Sequence, residues 1–309
     1  MDYSKNTIVE LTAICKEHGV KGYSGKKKED ILVLLKSEKP LLNSKVVVVE
    51  KNTSPLRYPG GKTRAISILE KYVNTHYPGR KTLLSPFFGG GSFELYMKTK
   101  GYLVKGNDLF IPLYTFWFTL QTKCDELIEK IKSKMPVTKE TFHTMRSSIT
   151  TTKDDCDKAS SYFVINRTSF SGATLCGGFS KQASEGRLTD SSLDRLKKCD
   201  LVGIDFTNMD CNTFLESCPE TNTTIVYADP PYYIETYIYG KDGDMHENFN
   251  HESFAKTIKT RSDWIISYND CEYIRTLYSD CRIFKESWSY GMNATKKSSE
   301  IIILPALKA

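Results

Sequence analysis

Short apolar runs that alternate with helical stretches set the strongest constraint on how this chain folds. Five such runs occur after residue 80, at 82–85, 102–105, 201–204, 224–228 and 264–267. This alternation predicts an α/β domain with a mostly parallel sheet. The span from about 112 to 198 breaks the alternation, and its Ser-, Thr- and Lys-rich sequence indicates helices and loops inserted between two strands.

The composition is that of a folded protein. Of the 309 residues, 39% are hydrophobic and 26% are charged, which supplies enough apolar material for a core. No run of 18 apolar residues is present, which excludes a membrane span, and the first residues lack the pattern of a secretory signal. The nine cysteines form no CxxC pair and the five histidines do not cluster. We therefore expect reduced thiols, an intracellular location and no metal site.

The first forty residues form a separate unit by their pattern. Ile8, Leu11 and Ile14 recur at helical spacing before Gly19, and a second apolar group at 31–35 follows the turn at residues 24–25. We interpret residues 1–40 as a small helical unit and 41–54 as a linker, with a candidate edge strand at 46–49. The larger domain then covers 55–309.

A glycine-rich segment follows the first predicted strand of that domain. Residues 85–92 read SPFFGGGS and precede a predicted helix. Glycines let the backbone turn sharply and let a ligand approach the start of a helix. The second short strand ends in Asn107 and Asp108, and an acid at that place commonly holds a ribose diol. The pair favours a nucleotide-like ligand, whereas the glycines alone would fit an ordinary strand–helix turn.

A second segment with chemical potential follows the strand at 224–228. Residues 228–233 read ADPPYY, and the two prolines fix a rigid turn after a buried strand. The turn presents the Asp229 carboxylate and the Pro230 carbonyl at the carboxyl end of the sheet, where α/β proteins bind ligands. Two acceptors suit an exocyclic amine, and Tyr232 offers a flat face for a base. The alternative is a surface proline turn with an incidental acid.

Together these segments resemble the Dam-like (D12 class) adenine-N6 DNA methyltransferases. The resemblance covers about 55–305, and five segments match the family's motifs in its order: RYPGGK at 57–62, PFFGGGS at 86–92, NRTSFSG at 166–172, DPPY at 229–232 and EIII at 300–303. Phe170 and Ser171 stand where the family's NRxxYNG segment has Tyr and Asn.

The resemblance implies a fold and a reaction. The fold is a Rossmann-like methyltransferase sheet of seven strands, six parallel and one antiparallel near the C-terminus, with a helical target-recognition insertion at about 115–195. The reaction is site-specific transfer of a methyl group from S-adenosylmethionine (SAM) to N6 of a flipped adenine in double-stranded DNA. It leaves S-adenosylhomocysteine and needs no metal.

The resemblance also implies roles for single residues. The catalytic set is Asp229, Pro230, Pro231 and Tyr232. The SAM-binding set is Tyr58, Lys62, Phe87, Gly89, Gly91, Asp108, Asp205, Phe206 and Asp229. Within it, Asp108 binds the ribose hydroxyls, Lys62 suits the methionine carboxylate, and the pair after the strand at 201–204 binds the SAM adenine. The DNA-binding set in the larger domain is Arg57, Asn166 and Arg167.

The N-terminal unit resembles a second family. Residues 7–11, 19–20 and 24–32 look like the SAP motif, a helix–turn–helix DNA-binding unit. This implies that Lys26, Lys27 and Lys28 contact phosphates, which adds affinity without sequence information. The alternative is a helical hairpin with a solvated lysine run.

Three other functions remain open at this point. Cytosine-N4 methylation uses the same geometry, although that group usually has Ser where Asp229 stands. RNA adenine methylation is compatible with a pocket that takes a flipped base. A non-catalytic DNA-binding module is the third, and the intact DPPY and glycine segments argue against it. The net charge of +6 agrees with a nucleic-acid partner but does not require one. The sequence indicates neither the recognition sequence nor the oligomeric state.

Overall fold

The computed structural model describes residues 6–17, 23–37, 52–233, 249–289 and 297–307. The chain divides into two compact units, Met1–Glu50 and Lys51–Ala309. The predicted linker lies outside the described residues up to residue 51, as do Gly19, Val20 and the candidate edge strand at 46–49. Within the described ranges, no helix is both long and apolar enough to cross a membrane.

The first unit contains the two helices that the sequence predicts, α1 (Ile8–Glu17) and α2 (Lys28–Ser37). Three buried side chains form its small core: Leu11, Cys15 and Ile31. Thr7 and Glu10 cap the start of α1 reciprocally. The Thr7 N–H donates to Glu10 Oε2 (2.9 Å), and the Glu10 N–H donates to Thr7 Oγ1 (3.3 Å).

The second unit is built on a seven-stranded sheet. Its strands are β1 (Thr82–Ser85), β2 (Leu103–Asn107), β3 (Asp205–Thr207), β4 (Thr224–Ala228), β5 (Trp264–Asn269), β6 (Arg282–Ser289) and β7 (Lys297–Leu304). Their order across the sheet is β3-β2-β1-β4-β5-β7-β6. Strands β1 to β5 pair in parallel, whereas β7 runs antiparallel to both β5 and β6. Six strands therefore share one direction and one opposes them, which confirms the predicted Rossmann-like α/β fold.

Both faces of the sheet are covered. Side chains of a strand point alternately to opposite faces, and in β4 Ile225 and Tyr227 pack into the core on one face while Val226 and Ala228 pack on the other. All residues of β4 are buried, as is typical of a parallel sheet between two helical layers.

The helices of the second unit complete these layers. They are α3 (Ile66–His76), α4 (Ser92–Thr99), α5 (Ile111–Thr122), α6 (Cys124–Ser133), α7 (Lys139–Ser148), α8 (Asp155–Thr168), α9 (Lys181–Arg187), α10 (Asp190–Lys197), α11 (Cys211–Ser217), α12 (His251–Ile258) and α13 (Glu272–Leu277). The six from α5 to α10 lie between β2 and β3, where the sequence indicates an insertion. Every residue of α8 except Asp155 and Asp157 is buried, so this helix is the centre of the inserted layer.

One predicted strand is wrong. Residues 201–204 form a turn, and β3 begins directly after it. Gly203 adopts φ 78°, and the Ile204 N–H donates to the Leu201 carbonyl (3.1 Å). Gln121 Nε2 donates to the carbonyls of Leu201 (2.7 Å) and Ile204 (2.8 Å). These bonds occupy backbone groups that a strand would use for its neighbours.

Candidate active site

The loop between β1 and α4 lines a cavity at the carboxyl end of the sheet. Gly89 and Gly91 adopt φ 50° and 65°, the left-handed backbone that glycine adopts without steric cost. Gly91 directly precedes α4, so the turn brings the start of that helix to the cavity. The predicted sequence of strand, glycine loop and helix is confirmed.

Asn107 holds this loop in place from the end of β2. Its Nδ2 donates to the carbonyls of Pro86 (3.1 Å) and Met209 (2.9 Å), and its Oδ1 accepts from Thr207 Oγ1 (2.9 Å). One buried amide thereby ties the ends of β1, β2 and β3 together. No sequence signal indicates this role, because two of these partners are backbone atoms that no motif displays.

The Tyr58 side chain rests on the glycine loop. A Cβ added at Gly90 would come within 2.6 Å of the Tyr58 Cβ, and one at Gly89 would come within 3.0 Å of its ring. Residues with side chains at these two positions would push the ring away. The glycines therefore serve the packing of Tyr58 as well as the turn.

Asp108 lies on the wall of the cavity beside this loop. Its Oδ2 accepts from the Gly89 N–H (2.9 Å) and its Oδ1 from the Phe110 N–H (3.0 Å). Burial raises the pKa of Asp108 to about 6, although both hydrogen bonds act to lower it. Each carboxylate oxygen has a second lone pair, so Asp108 can also accept from the hydroxyls of a ligand.

The cavity has a volume of about 240 Å³. Seven of the predicted SAM-binding residues contribute to its wall: Tyr58, Lys62, Phe87, Gly89, Gly91, Asp108 and Asp229. The Phe87 ring packs edge-on against Phe249 (5.5 Å between centroids) and Phe254 (5.2 Å). Phe87 therefore has a rigid apolar backing.

The structure does not bring Asp205 and Phe206 to this wall. Both lie within β3 and not after it. Asp205 is exposed, and the Phe206 ring packs against Phe88 (4.9 Å between centroids) and Trp117 (6.3 Å). Phe206 is thus part of the packing beneath the glycine loop.

The residues after β3 reach the cavity instead. Asp210 and Asn212 line it, together with Cys211. Asp210 Oδ1 accepts the Asn212 N–H (2.8 Å) and caps α11. Their place at the cavity is not predicted from the sequence, because the predicted strand ends at 204, three residues before β3 ends.

Asp229 is held from two sides at the end of β4. Its Oδ1 accepts from Ser267 Oγ (2.9 Å) and its Oδ2 from Lys62 Nζ (2.6 Å). Its side chain is 23% exposed, whereas that of Lys62 is only 4% exposed. The protein itself therefore orients the carboxylate and places a buried cation beside it.

Asn269 fixes the backbone on the far side of the proline turn. The Tyr233 N–H donates to Asn269 Oδ1 (3.0 Å), and Asn269 Nδ2 donates to the Tyr233 carbonyl (2.8 Å). Between Asp229 and Tyr233, Pro230 is buried and Pro231 lines the cavity. The turn that the sequence predicts at 229–233 is anchored at both ends.

The hydrogen bonds of Lys62 differ from the expected contact with a methionine carboxylate. Besides Asp229, its ammonium donates to Tyr232 Oη (2.8 Å) and to the Gly60 carbonyl (3.0 Å). Three bonds match the three donors of a lysine. In this structure Lys62 therefore pairs with the DPPY segment, while its charge still lies at the cavity.

Two buried carboxyl groups that are not among the predicted site residues lie close to Lys62 and Asp229. Glu94, on α4, lines the cavity and accepts from Ser85 Oγ (2.8 Å). Glu300, on β7, accepts from Tyr232 Oη (2.8 Å). Burial raises the pKa of each to about 7.

The chain matches the family model of the D12 class N6 adenine-specific DNA methyltransferases over residues 58–292. This range covers well over half of the chain and includes every residue of the cavity wall. The chain belongs to this family. Membership indicates a DNA methyltransferase and implies a DNA substrate and the use of SAM. A comparison with curated proteins finds no match.

In this D12-class methyltransferase, two of the three residues of the second unit that are expected at the DNA are buried. Asn166 is fully buried. Its Oδ1 accepts the Arg57 N–H (3.0 Å), and its Nδ2 donates to the Arg57 carbonyl (2.6 Å) and to Thr174 Oγ1 (2.9 Å). The side chain therefore ties the RYPGGK segment to the insertion. Arg57 itself is partly exposed.

Arg167 is also buried, at 5% exposure. Its Nε and Nη2 donate to the Arg187 carbonyl (2.9 and 2.7 Å) at the end of α9. Burial and neighbouring arginines lower the pKa of Arg167 to about 10. These contacts give Arg167 a role in holding the insertion together, and its guanidinium is not on the surface.

The remaining residues that are predicted to bind DNA belong to the first unit. Lys26 and Lys27 are exposed and Lys28 is partly exposed, next to the turn at Gly25. Across the described residues of both units, no group of three His, Cys, Asp or Glu side chains could hold a metal ion.

Proposed function

We propose that this chain is a site-specific DNA adenine-N6 methyltransferase that uses SAM and takes its target adenine flipped out of the double helix. The observation that carries the proposal is the position of Asp229. Its carboxylate is fixed by Lys62 and Ser267, starts a proline turn and borders the cavity of the glycine loop. A rigid acceptor thus lies beside a site with the features of a nucleotide pocket.

The residues on the cavity wall fit SAM. The Asp108 carboxylate would accept from the ribose hydroxyls, and the open backbone at Gly89 and Gly91 admits close approach of the ligand. Tyr58 and Lys62 would lie toward the methionine end, and Phe87 would contribute an apolar surface. For the SAM adenine, the positions of Asp210 and Asn212 support a contact better than those of the pair in β3. When bound, SAM supplies an electrophilic methyl group on sulfur.

Adenine N6 is a poor nucleophile because its lone pair is delocalised into the ring. Asp229 and the Pro230 carbonyl would accept its two N–H groups and favour a tetrahedral nitrogen whose lone pair is free to attack. The Tyr232 ring would stack on the flipped base, which offsets part of the few kcal/mol that flipping costs. Catalysis then rests on positioning and on preorganised acceptors.

The proposal is tested on the reaction product. The protein is incubated with SAM and double-stranded DNA, the DNA is digested to nucleosides, and N6-methyladenine and N4-methylcytosine are quantified. We expect N6-methyladenine only, at a fixed set of sequences. N4-methylcytosine, or methylation of RNA and not of DNA, would contradict the proposal.

Asp229→Ala should lower the rate of methyl transfer by at least about 1000-fold while SAM still binds, since the missing acceptor acts on the reacting amine. Asp280→Ala removes an exposed carboxylate that pairs with Lys259 and is the matched control. It should leave the rate unchanged. Substantial turnover by Asp229→Ala would contradict the catalytic assignment.

A further inference from the structure

A chain of hydrogen bonds leads from Asp229 away from the cavity to Glu300. Lys62 Nζ donates to Asp229 Oδ2 (2.6 Å) and to Tyr232 Oη (2.8 Å), and Tyr232 Oη donates to Glu300 Oε2 (2.8 Å). This hydrogen-bond chain therefore joins two carboxyl groups through one ammonium and one phenol. It ends at Glu300 of the EIII segment, which has no role in the proposed function above.

Glu300 is placed where a carboxylate is costly. It lies on β7 between β5 and β6 and is 1% exposed. Among the described residues, its buried Oε1 has no hydrogen-bond partner. A buried carboxylate oxygen without a partner carries a large desolvation penalty, which a bound proton would remove.

Some groups around Glu300 raise its pKa and others lower it. Lys62 and the hydrogen bond from Tyr232 lower its pKa, whereas Asp229 raises it. Its register partner on β6 is Glu286, which accepts from Tyr72 Oη (2.8 Å), and its partner on β5 is the uncharged Asn269. Burial outweighs the cation and raises the pKa of Glu300 to about 7.

We propose that Glu300 is a positioning residue that takes up the proton released by adenine N6 during methyl transfer, through Asp229, Lys62 and Tyr232. This rests on the proposed function. As the N6–C bond forms and the C–S bond breaks, the N6–H bond breaks and Asp229 takes the proton. Lys62 passes a proton to Tyr232 as Tyr232 passes one to Glu300, and the lone pair that this leaves on Lys62 then takes the proton from Asp229. The positive charge that leaves sulfur is balanced by the proton that neutralises Glu300.

The relay restores the pair at the cavity. If the proton stayed on Asp229, the buried Lys62 ammonium would lose its counter-ion, which is unfavourable at 4% exposure. After the relay, Asp229 is again a carboxylate and Lys62 again an ammonium. The neutral Glu300 is the favoured form in its own surroundings.

The experiment measures the single-turnover rate of methyl transfer against pH, because product release can mask the chemical step in kcat. The wild-type rate should rise with pH through about 7 and then level off, since ionised Glu300 is the acceptor. Glu300→Gln keeps the shape and the acceptor for Tyr232 but cannot take a proton. We expect it to be roughly 10- to 100-fold slower, without the rise near pH 7 and with SAM affinity unchanged.

Two further variants separate a relay from structural damage. Glu286→Gln makes the same change on the neighbouring strand, outside the relay, and should keep the wild-type profile. Tyr232→Phe interrupts the relay while Glu300 stays in place. It should lower the rate as much as Glu300→Gln does. The double variant should be no slower than either single variant, because both changes interrupt the same relay. If the two changes acted independently, their losses of rate would multiply. Tyr232→Phe carries the test alone if Glu300→Gln does not fold.

A Glu300→Gln enzyme with the wild-type rate and pH profile would overturn the relay, as would multiplying losses in the double variant. Neither result would affect the proposed function, since the wild-type protein would still make N6-methyladenine. Absence of N6-methyladenine from the wild-type reaction would instead overturn the proposed function and the relay together.

Discussion

Three carboxyl groups lie at or near the cavity, and each has a different partner. Asp108 and Glu94 line the cavity, whereas Glu300 is bonded to Tyr232 and does not line it. Asp108 accepts from the backbone of the glycine loop, Glu94 from Ser85 and Glu300 from Tyr232. Burial raises the pKa of all three toward neutrality. We therefore expect protonation near pH 6 to 7 to affect both the stability and the chemistry of this site.

The first prediction at this scale concerns Asp108 and SAM. In the proposed SAM site the ionised carboxylate would accept from the ribose hydroxyls, and burial raises the pKa of Asp108 to about 6. SAM affinity should therefore be constant above pH 7 and should fall as the pH drops below about 6. Asp108→Ala should weaken binding by about 1–3 kcal/mol at pH 7.5 and remove this pH dependence. Calorimetric titration with SAM between pH 5 and 8 is the measurement, and a dissociation constant that Asp108→Ala leaves unchanged would place the ribose elsewhere.

The second prediction concerns Glu94 and stability. Its pKa is about 7 in the folded protein against an ordinary value of 4.5, so the folded state holds the proton more tightly than the unfolded state. Wild-type stability should fall as the pH rises from about 4.5 to 7. Glu94→Gln should lose the part of this dependence that Glu94 contributes, while Asp108 and Glu300 keep theirs. At pH 8 its free energy of unfolding should exceed that of the wild type by about 3 kcal/mol.

Urea unfolding at pH 5, 6 and 8 measures this difference. Glu129→Gln changes an exposed carboxylate on α6 that pairs with Lys132, and we expect it to alter stability by less than about 0.5 kcal/mol. A Glu94→Gln variant that is less stable than the wild type at pH 8 would show that the carboxylate makes contacts worth more than its burial costs.

At the scale of elements, the sequence predicted strands wherever an apolar run was followed by a strong turn signal. The observed β1 and β4 have the predicted bounds, because glycines follow the first and two prolines follow the second. The run at 201–204 has equally apolar residues, but Gly203 turns the chain and Gln121 binds its carbonyls. Gly203 is a turn signal within the run itself, whereas Gln121 is eighty residues away in sequence, so no local pattern could have indicated its contribution.

The residues that hold the site in place could not be predicted either, because their partners are also distant in sequence. Asn107 and Asn269 act through the backbone of Pro86, Met209 and Tyr233. Motif matching found seven of the residues that form the cavity wall, whereas the roles of these two amides required coordinates. Asn166 matched a motif expected at the DNA, but its bonds to Arg57 give it the same kind of structural role.

The prediction at this scale concerns the packing of Tyr58 on the glycine loop. Gly90→Ala would place a Cβ within 2.6 Å of the Tyr58 Cβ, so the loop or the segment that carries Tyr58 must move. We expect a loss of stability of about 1–3 kcal/mol and weaker SAM binding. Gly178→Ala has no atom within 4 Å of the new Cβ and is the matched control for thermal unfolding and SAM titration. Equal behaviour of both variants would mean that the loop adapts freely.

At the scale of the whole molecule, the two units hold separate sets of residues that we expect at the DNA. The cavity, Asp229 and the inserted helices belong to Lys51–Ala309, whereas the lysine run belongs to Met1–Glu50. Phosphate contacts add affinity without reading bases. If the first unit binds the backbone as a SAP-like element, its loss should change affinity and salt dependence but not the target sequence.

The last prediction tests this in the full-length chain. Replacing Lys26, Lys27 and Lys28 with Gln removes charges that are exposed or partly exposed beside Gly25. For each phosphate that the protein no longer neutralises, the slope of log affinity against log salt should fall by roughly 0.9 on B-DNA. A control variant removes the same charge at three exposed positions of the second unit, Lys71, Lys105 and Lys123.

The lysine-run variant should flatten the slope more than the control, while sequencing of methylated adenines should give the same target for both. A changed target would mean that the first unit reads bases, and equal slopes would favour a solvated helical hairpin that does not bind DNA.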